Sequence, residues 1–286
     1  TGFAVLLAVA RLDWLAVAGA LMLTGFWTFV YNVGRTLWAV SDFDVTERHF
    51  ALAMGFILLA TILGFLLAVD FVRPVFAPAG LARSRVVAAH ATLAVFGIVI
   101  TTVVGALYQL ATMFTQTELH GIDMSIRRFE EWAYPVGVLV LAGGRLASNL
   151  WLARLGGVLV LVSLLSFAVV LSRKLSESRM TQTPMLSRYA VVAVALALWV
   201  LASTPAWLSD PTDPATIFGP PDAAYLLFAV VGFVLLGTLY HVVPFIVWVR
   251  QYSDRVGLER VPMIDDLYDD RLAAVDFWLT LGGLAL

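Results

Sequence analysis

The sequence predicts an all-α, polytopic transmembrane helical bundle of roughly seven to eight spans, and three observations carry that expectation. Of its 286 residues, 61% are hydrophobic and only 13% charged, with a mean hydropathy of +0.90. Soluble domains run near 45–50% apolar and about 25% charged, so this excess calls for an apolar solvent. The apolar runs are uninterrupted over about 20 residues, the length a helix needs to cross a bilayer. They do not alternate with period two, which excludes a membrane β-barrel and leaves helices to satisfy the backbone in lipid.

Taken in order, spans are expected at 14–34, 50–70, 86–112, 151–172, 187–207 and 223–249, with a partial one from about 273, in a single domain covering 1–286. Thr1 opens inside an apolar stretch with no basic leader, and the last residues begin another span, so helix is expected to be missing at both ends. Trp14, Trp38, Trp151, Trp207, Trp248 and Arg250 stand where interfacial anchors belong. Glycines such as Gly55, Gly64, Gly97, Gly105, Gly156, Gly157, Gly232 and Gly237 let helices approach closely. The stretch 132–150 is ambiguous: it is apolar, but Gly143-Gly144, Arg145 and Asn149 interrupt it. Counting Lys and Arg by side gives about 12 against 6 if it does not span and about 12 against 5 if it does, so the positive-inside rule does not arbitrate. The loop 208–222 has no basic residue and several prolines, which suits an external loop. The acidic segment 254–271 reads as polar surface.

Composition removes several classes of function. Cysteine is absent, so there is no disulfide frame and no thiolate metal site. The net charge of −2 gives no reason to expect nucleic acid as a partner. No phosphate loop, dinucleotide fingerprint or nucleophile–base arrangement is present. With few acidic residues in the expected spans, chemistry falls to histidine. His120 lies in a loop, whereas His49, His90 and His241 lie in or at the ends of spans. An ionisable side chain there is a functional candidate by default; the plainer reading is a neutral imidazole tying two helices together.

Two internal echoes accompany them. Gly105-Ala-Leu-Tyr108 answers Gly237-Thr-Leu-Tyr240, and His49-x-x-Leu-Ala…Gly64 answers His90-x-x-Leu-Ala…Gly105 with equal spacing. Parallel Gly-x-Leu-Tyr helices need an odd number of crossings between them, which favours a spanning 132–150.

Ala89-His90, Phe96-Gly97, Gly105 and Tyr108 resemble the second helix of subunit I in the haem-copper oxidase superfamily, over about 25 residues. Tyr240-His241-Val242-Val243-Pro244 resembles the endings of shorter relatives of that superfamily. The resemblance implies a haem b with His90 as axial ligand and His241 or His49 opposite it. Tyr108 and Tyr240 would lie in the pocket, with Arg145 or Arg35 on the propionates. It further implies electron transfer or a place in a respiratory complex, with other membrane subunits or an electron-donor protein as partners, in a prokaryotic cell membrane. The chain departs from that pattern in having no His-His pair and no C-terminal His-x-His, and in carrying Ala111-Thr112 where a proline often ends the helix. Three membrane histidines cannot furnish the six or so of an oxidase centre, so a copper site has little basis and oxygen or nitric oxide reduction by this chain alone is not expected.

A haem held on both faces needs ligands at similar depth. If 132–150 does not span, His90 and His241 share a side, offset by roughly 7.5 Å of helix rise. If it does span, they lie near opposite faces. Two further readings stay open. One is a transporter or metal-handling permease using Tyr108, Gln109, Tyr240 and His241 with a helix broken at Pro244. The other is a structural subunit without a site.

Overall fold

The computed structural model describes residues 14–179 and 183–284, so the expectations drawn from the first residues lie outside the described chain. Eight long helices follow one another: α1 Leu15–Trp38, α2 Val45–Asp70, α3 Arg83–Thr115, α4 Ile122–Ala147, α5 Leu150–Glu177, α6 Pro184–Ser209, α7 Ala224–Tyr252 and α8 Asp270–Gly283. Among the described residues there is no strand. Six of the helices, all but α4 and α8, are long and apolar enough to cross a membrane.

Helix starts follow local chemistry. The Asp44 carboxylate accepts the amides of Thr46 (2.6 Å) and Glu47 (3.1 Å), while Glu47 accepts the Asp44 amide at 3.0 Å. That reciprocal box fixes the first turn of α2. Asn149, Thr183 and Asp269 cap α5, α6 and α8 in the same manner, with Pro184 preset at the first position of α6.

The core runs continuously through α2 to α7. Side-chain pairs show that these helices alternate in direction: Tyr134 reaches Phe96 and Arg145 reaches Thr92 between α4 and α3, Lys174 meets Asp123 between α5 and α4, and Tyr189 meets Thr238 between α6 and α7. Loops 39–44, 116–121 and 253–269, with residues 178–179 and 183, therefore gather at one end, here the basic end. Loops 71–82 and 210–223 lie at the opposite end.

Residues 132–147 of that stretch belong to α4, which begins ten residues before Trp132 and packs along α5. Sequence reading ended the apolar signal at Trp132 because Asp123, Arg127, Glu130 and Glu131 precede it. Asp123, Glu130 and Glu131 are paired against neighbouring helices and Arg127 pairs with Glu131 one turn on, which is why the helix continues through them. Gly143-Gly144, which looks like a break in sequence, lies within the helix. A methyl on Gly144 would strike the Ala153 backbone, so that glycine is a packing surface.

Within α3, residues Leu93–Ile100 form a wider π-helical turn. The Phe96 carbonyl accepts the Tyr134 hydroxyl at 2.7 Å and the Thr101 hydroxyl at 3.0 Å, so side chains hold what the regular ladder releases.

Candidate functional site

Near the basic end, α2, α3 and α4 bring together a fully buried pair of ionisable side chains. His49 and Glu130 are 1% and 0% exposed, and Nε2 of the one lies 3.2 Å from Oε1 of the other. The other ring nitrogen, Nδ1, is 2.7 Å from the Val45 carbonyl. A carbonyl only accepts, so Nδ1 carries hydrogen. Nε2 then meets the carboxylate favourably in two ways: as imidazolium facing carboxylate, or as a lone pair accepting from a carboxylic acid. Either way one proton lies between the two residues and the pair is neutral.

Tyr108 completes the cluster. Its ring lies 5.8 Å from the His49 ring and edge-on to Phe167 at 5.1 Å. The Tyr108 hydroxyl and Glu130 Oε2 are both buried without a hydrogen-bond partner among the described residues. Unpaired polar atoms in a dry interior cost about 1–3 kcal/mol each, so a structural role alone accounts poorly for them. Toward the surface, Glu131 accepts from Arg48 at 3.0 Å and lies 3.3 Å from Arg127. Beside this end, a groove of about 820 Å³ opens between α2 and α4, lined by apolar side chains with Arg48 and Glu131 at its mouth.

The histidine–glycine echo is realised as a reciprocal pair. Because α2 and α3 run antiparallel, His49 seats on Gly105 and His90 seats on Gly64. The His90 ring is held by Nδ1 donating to the Ala60 carbonyl at 2.9 Å. Its Nε2 has no hydrogen-bond partner among the described residues, and the ring borders a cavity of about 160 Å³ that Met22, Phe26, Thr61 and Phe65 also line.

His241 and Tyr240 lie elsewhere, toward the basic end of α7. The His241 ring packs edge-on to Phe114 at 4.5 Å and is stacked with Phe245 at 6.2 Å. The Tyr240 hydroxyl donates to Asp276 at 3.1 Å, and Arg188 both pairs with Asp276 and lies 4.3 Å over the Tyr240 ring. The Gln109 side chain makes no hydrogen bond to either group.

Arg145 is 2% exposed and donates to Thr92 Oγ1 (2.6 Å) and to the carbonyls of Pro211 (2.9 Å) and Ile217 (3.1 Å). It staples the 210–223 loop over the aromatic group of Phe96, Trp199, Trp207 and Phe218. His120, Asp123 and Glu177 stand within metal-ligand reach of one another. Lys174 already lies 2.9 Å from Asp123 and 2.5 Å from Glu177, with Arg173 2.7 Å from Asp123, so the group is a charge-balanced ion-pair network.

A haem gripped by two histidines does not fit these positions. Both His49 nitrogens are engaged, His90 faces a cavity beside α1 and α2, and His241 faces another at the opposite end of the bundle. His90 alone suits iron: a ligating histidine commonly donates its other N–H to a carbonyl, as Nδ1 does here. Glu130 was missed in sequence because it sits among charges that read as a loop; the signal lay in a Glu-Glu pair directly abutting an apolar run. Arg188 and Asp276 were missed because their partner helices are distant in the chain. Family models, curated proteins and solved structures offer no match to this chain.

Proposed function

We propose that this chain is a proton-coupled membrane permease in which the His49–Glu130 pair carries the exchangeable proton. The observation that supports it is the hydrogen-bond arithmetic at His49: with Nδ1 committed to Val45, the contact to Glu130 is favourable only while one proton lies within it. Loss of that proton sets a carboxylate against an imidazole lone pair in a dry interior. The pair then separates or recruits a cation, and the idle Tyr108 hydroxyl and Glu130 Oε2 are the groups ready to take up the change. Loading is thereby coupled to the packing of α2, α3 and α4. In this reading α4 is a seventh crossing, α8 starts an eighth, and the basic end faces the cytoplasm. The groove between α2 and α4 marks the cargo as lipid-soluble, with a polar end at Arg48 and Glu131.

The test is proton movement in vesicles. With the purified chain reconstituted around a trapped pH dye, an imposed pH gradient should dissipate faster than in empty vesicles, and Glu130→Gln should abolish the difference. Equal rates with and without wild-type protein would remove the proposal.

A second reading rests on His90. Its Nδ1–Ala60 bond leaves Nε2 as the nitrogen that would bind iron, and a haem-binding, electron-transferring subunit would then take its second ligand from another chain. Haem would supply a one-electron carrier there; His90 would bind and orient it. Protein produced with haem present should show a visible haem absorption that His90→Ala removes. A colourless, folded protein would end this reading.

A further inference from the structure

A separate cavity of about 310 Å³ lies at the basic end, away from the His49–Glu130 pair. Three of the chain's seven methionines line it: Met113 at the end of α3, Met185 in the first turn of α6 and Met263 in the turn before α8. His241 faces the same space from α7. Its ring is fixed between Phe114 and Phe245, yet neither nitrogen has a hydrogen-bond partner among the described residues. A histidine held in place by packing alone, lining one cavity with three thioethers, supplies with them the donor set of a soft-metal site.

We propose that His241, Met113, Met185 and Met263 bind one Cu(I) ion. The thioethers carry the preference for the soft Cu(I) ion; imidazole by itself serves Zn(II) as well, and Mg(II) calls for oxygen ligands. The chain has no cysteine, so thioethers are its only soft donors. Met185 is buried and preset, whereas Met113 and Met263 are 50% and 71% exposed. A methionine has three rotatable side-chain bonds, so those two can swing in and close on an ion held by the others. Asp265 is the one carboxylate among the residues lining the cavity and sets the competing outcome. The proposal does not rest on the His49–Glu130 reading; either can fail alone.

The full chain in detergent, under reducing conditions, is titrated with Cu(I) against a chromophoric Cu(I) chelator. One ion per chain is expected, with sulfur and nitrogen scatterers in its X-ray absorption spectrum. His241→Ala and the Met113→Leu/Met263→Leu pair should each weaken it by roughly tenfold or more. Met54→Leu and His90→Ala should leave it unchanged, with thermal unfolding confirming that every variant is folded. Binding that survives both His241→Ala and the double methionine variant, or that His90→Ala abolishes, overturns the proposal. So does Zn(II) binding that outcompetes Cu(I) and depends on Asp265 and His241 but not on the methionines.

Discussion

Between Glu130→Gln and Glu130→Ala lies the difference between losing a proton site and losing a fold. The amide of Gln can still donate to His49 Nε2, so Glu130→Gln should keep the helices together while fixing the site in its loaded form. Glu130→Ala strands His49 in the interior and should cost about 3–5 kcal/mol, read as a large fall in unfolding temperature. Tyr108→Phe separates use from idleness in the same cluster. It removes a hydroxyl without a partner, so stability should hold or rise, while proton movement slows if the hydroxyl takes part. At the other end, Arg145→Met should destabilise by about 2–4 kcal/mol, because it leaves three acceptors at Thr92, Pro211 and Ile217 without their donor. At this scale the sequence was partly legible. His49, His90 and Tyr108 stand out as polar residues in apolar runs, but the partner of His49 did not, since Glu130 is 81 positions away and looks solvated.

Helix pairs carry their own predictions. Adding a methyl at Gly105 drives it into the His49 side chain and should cost about 1–3 kcal/mol. Gly55→Ala, with nothing within 4 Å, should be neutral or mildly stabilising through helix propensity. Thermal unfolding of the two variants checks both. The echo His49…Gly64 and His90…Gly105 was visible in sequence, though not that its two copies face each other antiparallel and exchange histidines. That depends on chain direction, which spacing alone does not encode. The 210–223 loop responds to acid. The Thr212 hydroxyl bonded to Asp210 at 2.6 Å, with the Thr212 amide and Arg154, holds that carboxyl below its ordinary range. A depressed value stabilises the folded loop above the unfolded pKa, near 4, and that contribution is lost as pH falls through the folded value. Hydrogen exchange of the loop amides should therefore quicken in acid, and Asp210→Asn should show the faster exchange already at neutral pH.

The whole molecule is a bundle whose outer faces stay apolar. In α1 only 6% of the most apolar window is buried, and Trp27 bonding to Thr61 at 3.2 Å is one of its few polar ties to α2. Composition and run length were enough to predict a helical membrane bundle, because lipid imposes those directly on the sequence. The fate of 132–150 was not legible, since it turns on charges of which Asp123, Glu130 and Glu131 are paired by other helices. A cysteine-free chain makes the seventh crossing simple to test: Thr117→Cys and Ser148→Cys, flanking α4, should be labelled by an impermeant reagent from opposite sides of intact vesicles. Labelling of both from one side would contradict the crossing.

The proton on the His49–Glu130 pair carries the proposed permease function, and infrared difference spectroscopy across a pH titration reads it most directly. The account predicts a carboxyl or carboxylate band that changes with pH in the wild type, is absent from Glu130→Gln, and shifts in Tyr108→Phe. A difference spectrum identical in wild type and Glu130→Gln would contradict it and leave His49 and Glu130 as a tie between helices.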